Sequence, residues 1–334
     1  MGGKLTRKNE DIEDFVIART DGTALYNFAV VVDDHLMAIS HVIRGNDHLT
    51  NTYKQCLLYD ALKWPRPLFA HLPLILREDK SKVSKRKGDP SVTDYRDKGY
   101  LPEALLNYLC LLGWSAGDDR EVYNLSELVS AFELSRVSVA NPVFDAAKLD
   151  WFNGEYIRHL PVDLLAQRAA PWFENADLGD VSAWLGNRER YHAMIALLAG
   201  RAKTLAEFPR LGKFFFVAPQ EYDEEGARVH FTPEAARQLF RLAHEWNTLE
   251  PFEAAALEQN MRDLAKEHGQ KLAAWIHPAR LALTGTTAGP GLFELAALLG
   301  SRECASRLAR AAERIESGTT VGSNPSLRSP HDKR

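Results

Sequence analysis

Residues 79–89, which read DKSKVSKRKGD, hold five cations within the eight positions from Lys80 to Lys87. Small residues separate these cations, and the run follows an apolar segment, 68–76, whose composition predicts a buried strand. A cationic, serine-bearing loop at the end of a buried strand in an α/β layer can hold a polyphosphate. On charge alone, however, such a run is more often a solvated loop or a non-specific nucleic-acid patch. The elements around the loop therefore decide between the two interpretations.

The elements before the loop predict one strand–helix–strand unit. Segments 14–19 and 24–32 are rich in β-forming residues, and 36–43 is apolar again. Segment 49–62 has helical periodicity, with Leu49, Tyr53, Cys56 and Leu57 on the predicted apolar face, and 68–76 follows as a strand. This order favours a βαβ unit with parallel strands. A complete doubly wound nucleotide fold needs more strands, so the sequence predicts half of a larger fold.

From residue 92 onward the pattern is helical, with proline and glycine between amphipathic segments. We predict four parts of the chain: a nucleotide-binding part over 1–90, a helical connective region over 91–160, a helical domain over 161–317 and a disordered tail over 318–334. The predicted fold class is therefore α/β followed by all-α.

Composition limits the classes of protein and of binding site that this chain can represent. The chain of 334 residues is 45% hydrophobic and 26% charged, which is typical of a globular protein of two or three domains. Its net charge of -4 means that a nucleic-acid partner would need a local basic surface. The three cysteines have no CxxC or Cys/His spacing, so neither a structural zinc nor a disulfide framework is expected. No signal core or membrane-length apolar run occurs, which predicts a cytoplasmic protein without a membrane partner.

Eight segments, taken together in their order and spacing, resemble glutamyl-tRNA synthetase, a class I aminoacyl-tRNA synthetase of bacterial type. The segments are DFVIARTDG (14–22), YNFAVVVDDHLM (26–37), HVIRGNDHLTNT (41–52), FAHLPLI (69–75), SKVSKRKGD (81–89), GYLPEALLNYLCLLGWS (99–115), VFDAAKLDWFNGEYIR (143–158) and PARLALTGTTAGPGLFELAALLG (278–300). The resemblance implies the C-terminal half of a Rossmann-type catalytic domain, followed by helical connective and anticodon-binding domains. The family's HIGH-type tetrapeptide does not occur in this sequence.

The resemblance also implies roles for individual residues. Segment 82–86 is similar to the family's KMSKS-type loop, which closes over the triphosphate of ATP, and this makes Lys82, Ser84 and Lys85 the expected catalytic residues. The expected ATP contacts are Lys82, Val83, Ser84, Lys85, Arg86, Asp47 and Ile75. Charge is expected to build up on the leaving pyrophosphate, and flexible ammonium groups can follow that charge. Arg86 is equally well explained as a solvated or tRNA-facing cation.

Tyr26 and Arg44 match the family positions that hold the substrate glutamate. A carboxylate suits a bidentate guanidinium, and a phenol hydroxyl can complete its recognition. Without the resemblance, Tyr26 would be a core residue of a strand and Arg44 a surface cation. In the helical domain, Arg201 and Arg280 match the region where the family reads anticodon bases, although a solvated helix face explains Arg201 as well.

Two hypotheses follow from the sequence. In the first, the chain is the C-terminal part of a glutamate–tRNA ligase that uses ATP with Mg²⁺, L-glutamate and tRNA(Glu), and it is a monomer unless the N-terminal half is supplied as a partner. In the second, it is a catalytically inactive fragment that binds tRNA through its helical anticodon-binding domain.

Overall fold

A pair of parallel strands joined by one helix forms the centre of the N-terminal part of the chain. Strand β1 (His41–Gly45) pairs with β2 (Leu68–Leu72), with His41 opposite Leu68. Helix α2 (Leu49–Leu62) connects them and ends at Lys63, whose left-handed backbone stops the helix. This arrangement confirms the predicted βαβ unit, and the helix has the bounds that its periodicity predicts.

A computed structural model describes residues 5–83 and 90–318. Its contacts divide the chain into an N-terminal unit, Met1–Asn153, and a C-terminal unit, Gly154–Arg334. The predicted tail lies outside the described residues from position 319 onward. The finer four-part division that the sequence suggests stays a prediction.

Segment 24–32 is helical, and its prediction as a β-rich segment is wrong. Helix α1 (Tyr26–Leu36) covers most of it and packs on α2, with Val31 only 1% exposed. Three consecutive valines favour a strand by intrinsic propensity, but packing against a neighbouring helix overrides that preference. In segment 14–19, the structure forms only an isolated bridge between Ala18 and Ala24.

The segment predicted as a buried strand over 68–76 is shorter and less buried than expected. Strand β2 ends at Leu72, and of its five residues only Ala70 is buried, while Leu68 is 65% exposed. The other three residues of β2 are half-buried. Within 5–83 and 90–318, β2 pairs with β1 alone, and a strand with one neighbour is covered less completely than the central strand that a continuous apolar run suggests.

Helices complete the N-terminal unit. They are α3 (Val92–Asp97), α4 (Pro102–Leu111), α5 (Leu125–Ala131) and the first part of α6 (Ala146–His159), because the boundary between the units falls within α6. Helix α3 starts in a capping box, in which Ser91 and Asp94 each accept a hydrogen bond from the other's backbone N–H. Proline at position 102 opens α4, where its missing N–H costs nothing.

The regular secondary structure described in the C-terminal unit is helical. Its helices are α7 (Val162–Glu174), α8 (Ser182–Leu185), α9 (Arg188–Ala199), α10 (Phe208–Phe216), α11 (Glu224–His230), α12 (Pro233–Thr248), α13 (Ala254–Glu267), α14 (Ala273–Thr284), α15 (Leu292–Leu299) and α16 (Ser301–Glu316). Helix α12 packs along α16 and fully buries Trp246. The predicted all-α character of this part is confirmed.

One buried arginine connects three of these helices. Arg307 of α16 is 2% exposed, and one of its terminal nitrogens donates to the carbonyls of Phe214 and Leu283, each at 2.7 Å. Its Nε also donates to Glu303 at 2.7 Å. The carbonyls near the ends of α10 and α14 would otherwise be left without partners, because a helix does not satisfy its last four C=O groups.

We expect Arg307→Leu to lower the free energy of unfolding by about 2–4 kcal/mol, since two buried carbonyls lose a charged donor. Urea unfolding followed by tryptophan fluorescence measures the change, because Trp246 and Trp275 are buried in the same unit. Arg302→Leu, an exposed position on the same helix, is the control and should change the free energy by less than about 0.5 kcal/mol. Equal stability of the two variants would contradict the assignment.

Candidate functional site

The guanidinium of Arg44 is fixed by polar side chains of α2. One terminal nitrogen of Arg44 donates to Thr52 Oγ1 and to Gln55 Oε1, both at 2.7 Å. Gln55 in turn donates to Asn27 Oδ1 of α1 at 3.1 Å, and Thr52 Oγ1 lies 2.9 Å from His71 Nε2 of β2. A polar layer, formed by Asn27, Arg44, Thr52, Gln55 and His71, thus joins the sheet to both helices.

This layer contains two almost fully buried polar residues, Thr52 at 8% and Gln55 at 2% exposed. Buried polar groups require hydrogen-bond partners, and here the Arg44 guanidinium provides them. The Nε of Arg44 is also buried, yet it has no hydrogen-bond partner among the described residues. Arg44 therefore retains an unused donor, which is the chemistry needed to bind a carboxylate.

The environment of the layer shifts the pKa values of His71 and Asp34. Burial, followed by the nearby Arg44 charge, lowers the pKa of His71, so this imidazole is neutral near pH 7. Burial raises the pKa of Asp34, and the positive charge of Arg44 opposes that rise. Arg44 thus supplies the positive charge of the layer, and Asp34 lies close enough for that charge to affect its pKa.

Tyr26 and His48 form a second contact beside the layer. Tyr26 lies in the first turn of α1, is 51% exposed, and its hydroxyl is 3.4 Å from His48 Nδ1. Asn51 of α2 is 3.2 Å from the same nitrogen. Thr52 Oγ1 also donates to the His48 carbonyl at 3.2 Å. Because Tyr26 contacts His48 and Arg44 contacts Thr52, both residues lie beside the N-terminus of α2. Their role in binding glutamate stays a prediction.

The first arm of the cationic loop belongs to a tight hairpin. The Val83 N–H donates to the Ile75 carbonyl at 3.2 Å, and Leu76 forms an antiparallel bridge with Lys82. Lys80, at the turn, has a left-handed backbone with φ of 61°. This pairing brings Val83 beside Ile75, two of the residues predicted to contact ATP.

The hairpin places Lys82 against Asp47, which follows β1. Lys82 Nζ lies 2.6 Å from Asp47 Oδ2, and the two side chains are 49% and 41% exposed. The hydrogen bond from Lys82 lowers the pKa of Asp47. An ion pair this exposed stabilises a protein by about 1 kcal/mol or less, so an incoming phosphate can displace the carboxylate from Lys82.

Gly45, the last residue of β1, lies in sequence between Arg44 of the polar layer and Asp47 of the pair with Lys82. A Cβ at this position would come within 2.5 Å of Asp47 Oδ1. Because the Asp47 carboxylate occupies that space, a larger residue would push it away from Lys82. The described part of the site therefore has an arginine with an unused donor and, three residues later, an aspartate paired with a lysine. Ser84, Lys85 and Arg86, which complete the predicted loop, lie outside the described residues.

Sequence patterns missed the polar layer because they selected the wrong face of α2. The buried positions of this helix are Thr52, Gln55 and Tyr59, whereas the apolar face predicted from Leu49, Tyr53, Cys56 and Leu57 is only half-buried. Spacings of three and four between the buried positions carry the correct helical signal. The buried face of α2 was not recognised because Thr52 and Gln55 are polar, whereas a buried helix face is normally identified from apolar residues.

In the C-terminal unit, Arg201 and Arg280 lie within electrostatic range of each other. Burial is the first cause that lowers the pKa of Arg280, and the charge of Arg201 is the second. Arg280 donates to the Pro290 carbonyl at 2.5 Å, which fixes it to the loop after α14. Arg201 is exposed. The two predicted anticodon residues are therefore close enough for the charge of one to affect the pKa of the other, and the exposed Arg201 side chain is accessible to a ligand.

Two searches of the described residues were negative. Among 5–83 and 90–318, no three His, Cys, Asp or Glu side chains are grouped so as to hold a metal ion. No helix in these ranges combines the length and apolar character required to cross a membrane.

Comparison with known proteins gives matches over most of the chain. Residues 1–151 match the family model described as tRNA synthetases class I (E and Q), catalytic domain. Residues 164–312 match the model described as anticodon binding domain.

Individual relatives agree with the family models. The glutamate–tRNA ligase of Moorella thermoacetica is 44% identical over 314 residues, which are 94% of this chain and 64% of that protein. Glutamate–tRNA ligase 1 of Syntrophomonas wolfei is 42% identical over 96% of this chain and 64% of its own length. A crystal structure of a glutamate tRNA ligase from Elizabethkingia meningosepticum, in complex with its amino acid, matches with a TM-score of 0.84 and 32% identity over 94% of this chain and 65% of that one. The chain thus spans slightly less than two thirds of each of these relatives.

We expect Lys82→Met to raise the pKa of Asp47 toward its ordinary value, because the main cause that lowers it is removed. Carboxyl ¹³C chemical shifts recorded from about pH 2 to 6 would follow the titration. Lys98→Met, at an exposed position away from the hairpin, is the control and should leave the Asp47 pKa unchanged. If the Asp47 pKa is the same in the wild type and in Lys82→Met, the pair does not form in solution.

Proposed function

Because this chain belongs to the glutamate–tRNA ligase family of class I aminoacyl-tRNA synthetases, we propose that it takes part in the ATP-dependent attachment of L-glutamate to tRNA(Glu). Its fold agrees with the sequence-based prediction of a class I catalytic-domain segment followed by a helical anticodon-binding domain. The observation that carries the proposal is the unpartnered Nε of the half-buried Arg44, three residues from the Lys82–Asp47 pair.

Arg44 is the proposed receptor for a carboxylate of glutamate. Thr52 and Gln55 hold one terminal nitrogen of the guanidinium at 2.7 Å, so the group is oriented before substrate arrives. Its Nε has no partner and is itself buried, so a glutamate carboxylate reaches it only when the groups that cover it move aside, and a charge-assisted hydrogen bond formed there is stronger than in water. Tyr26, half exposed and held near His48, adds a hydroxyl on the same side of α2.

The proposed ATP contacts lie along the hairpin. Lys82 exchanges the carboxylate of Asp47 for a phosphate of the Mg²⁺–ATP substrate, and Ile75 and Val83 present backbone next to it. Ser84, Lys85 and Arg86 continue the loop and are proposed to follow the same phosphates. Asp47, once released, remains beside the nucleotide as an acceptor.

In the proposed first step, a carboxylate oxygen of glutamate attacks the α-phosphorus of ATP, and the bond to the pyrophosphate oxygen breaks. The attacking group is already ionised, so no protein base is required. The contribution of the chain is orientation by Arg44 and neutralisation of the leaving pyrophosphate by the loop lysines. In the second step, a hydroxyl oxygen of the terminal ribose of tRNA attacks the glutamyl carbonyl carbon, the bond from that carbon to the phosphate oxygen breaks, and the hydroxyl proton passes to the phosphate of the departing AMP.

The C-terminal unit is proposed to hold the anticodon. Arg201 is exposed, and Arg280 is fixed against the loop after α14 by its bond to the Pro290 carbonyl. A free guanidinium can form paired hydrogen bonds with a base edge and can stack on an unpaired base. In this proposal, Arg280 orients the loop after α14, and Arg201 contacts the anticodon base.

Glutamate-dependent exchange between ATP and pyrophosphate, measured with tRNA(Glu) present, tests the ligase function. We expect Arg44→Lys to raise the KM for glutamate by roughly 10- to 100-fold, since a charge-assisted hydrogen bond contributes about 1.5–3 kcal/mol. The KM for ATP should stay unchanged in Arg44→Lys and should rise in Lys82→Met. Arg66→Lys, which alters an exposed pair with Asp60, is the matched control and should leave both constants unchanged.

If exchange is absent but tRNA(Glu) still binds, the second hypothesis, a tRNA-binding protein without ligase activity, gains support. The observation that favours it is that residues 164–312 match the anticodon binding domain model by themselves and carry the exposed Arg201. An Arg44→Lys variant with the wild-type KM for glutamate would remove Arg44 from the site.

We expect Arg201→Gln to weaken binding of tRNA(Glu) by roughly tenfold or more, because an arginine contact to a base is worth about 1–3 kcal/mol. Filter binding at fixed salt measures the affinity. Arg262→Gln, an exposed arginine of α13 that pairs with Glu258, is the control and should bind like the wild type. Equal affinity of the two variants would exclude Arg201 from the tRNA surface.

A further inference from the structure

Three arginines form a row on one face of α16, beside the segment that follows α10. Arg307, Arg310 and Arg314 are spaced by three and four residues, which places their side chains on the same side of a helix. Arg314 donates to the Gln220 carbonyl at 2.6 Å, and its guanidinium carbon lies 5.3 Å from the centre of the Tyr222 ring. The row therefore borders the segment that leads into α11.

The charges beside Tyr222 all have the same sign. The charged groups that affect its pKa are the three arginines of the row, and no carboxylate of the described residues is among them. Burial raises this pKa and the arginines oppose the rise, so the phenol keeps its proton near pH 7 and neutralises none of them. Arg307 is balanced by its ion pair with Glu303 at 2.7 Å. The remaining positive charge lies further along the row.

Arg310 is the member of the row whose charge the fold does not use. Its side chain is half-buried, and its Nε is buried without a hydrogen-bond partner among the described residues. The two terminal nitrogens are neither buried nor hydrogen-bonded within 5–83 and 90–318, so they reach solvent at the end of a packed stem. An unsatisfied buried Nε costs stability, so packing alone does not explain an arginine here.

The segment before α11 connects this row to the loop after α14. The Asp223 N–H donates to the Gly285 carbonyl at 2.8 Å, at the start of that loop. Gly285 has φ of 80°, and a Cβ there would come within 3.0 Å of the Glu221 carbonyl oxygen. The segment therefore packs closely on one end of the loop, and Arg280 contacts the other end.

We propose that Arg310, with the charge of Arg314 beside it, binds a backbone phosphate of tRNA next to the anticodon-binding surface. The inference rests on the proposed function, because it adds a contact to the surface around the loop after α14. A phosphodiester oxygen accepts from the terminal nitrogens of Arg310. Phosphate contacts orient a nucleic acid without reading its bases, so Arg310 complements the base contact proposed for Arg201. A chain with a net charge of -4 needs such a local basic surface to bind RNA.

The salt dependence of tRNA(Glu) binding tests this contact. Filter binding at several salt concentrations gives the slope of log affinity against log salt, and the loss of one phosphate contact reduces that slope by about one. We expect Arg310→Gln to reduce the slope by about one and to weaken binding by roughly threefold or more. Arg310→Lys keeps the positive charge and should keep the slope.

Arg302→Gln is the matched control. This exposed arginine lies on the same helix, so the variant loses the same charge outside the row and should keep the wild-type slope. Circular dichroism of each variant shows whether its fold is retained. If Arg310→Gln does not fold, the Nε–Hε signal of Arg310 in a ¹H–¹⁵N spectrum, assigned by its absence in Arg310→Lys, should shift when tRNA(Glu) is added. A signal that stays fixed at saturating tRNA overturns the proposal.

Equal slopes for the wild type and for a folded Arg310→Gln overturn the proposal, and so does a reduced slope in Arg310→Lys. Inorganic phosphate that binds the wild type but not Arg310→Gln in calorimetry, with equal slopes for tRNA, assigns the site to a free anion and contradicts the proposal. The expected slopes without exchange between ATP and pyrophosphate leave the phosphate contact standing and remove the ligase function, whereas exchange with equal slopes does the reverse. Absence of tRNA binding to the wild type overturns both.

Discussion

The hydrogen bonds from Arg44 to Thr52 and Gln55 are the interaction on which the N-terminal unit depends. A guanidinium, a hydroxyl and an amide are partly or fully removed from water in this layer, and each must find a partner inside the protein. Their pairing fixes α2 against β1, and Asn27 extends it to α1. The same bonds orient the one buried donor of Arg44 that the described residues do not satisfy. Packing and the proposed carboxylate binding therefore use one set of contacts.

The two halves of the candidate site differ in rigidity. Arg44 is held by neighbours that are 8% and 2% exposed, so its orientation is established without substrate. Lys82 is held by an exposed partner, Asp47, and a contact of this kind is easily exchanged for another anion. A preformed receptor for a small amino acid and an adaptable contact for a polyphosphate suit the two substrates proposed here.

Sequence patterns predicted the βαβ unit, the bounds of α2 and the helical character of the C-terminal unit. Each of these depends on local periodicity and on turn residues, which a single sequence contains. Segment 24–32 was mispredicted because its valines favour a strand, and only packing against α2 makes it helical. The polar layer was missed because Thr52 and Gln55 have polar side chains on a buried face, which requires knowledge of the arginine that pairs with them. The resemblance to a known family supplied Arg44, Lys82 and Asp47, but neither the pairing of Lys82 with Asp47 nor the partners of Arg44.

The Arg44 Nε–Hε signal in a ¹H–¹⁵N spectrum tests directly whether Arg44 donates to a glutamate carboxylate, as proposed. The signal is assigned by its absence in Arg44→Lys. During titration with L-glutamate we expect a saturable shift of this signal, while the Arg66 signal stays in place. An Arg44 signal that remains fixed up to about 10 mM glutamate, a concentration that would fill even a weak site, would exclude Arg44 as the glutamate receptor.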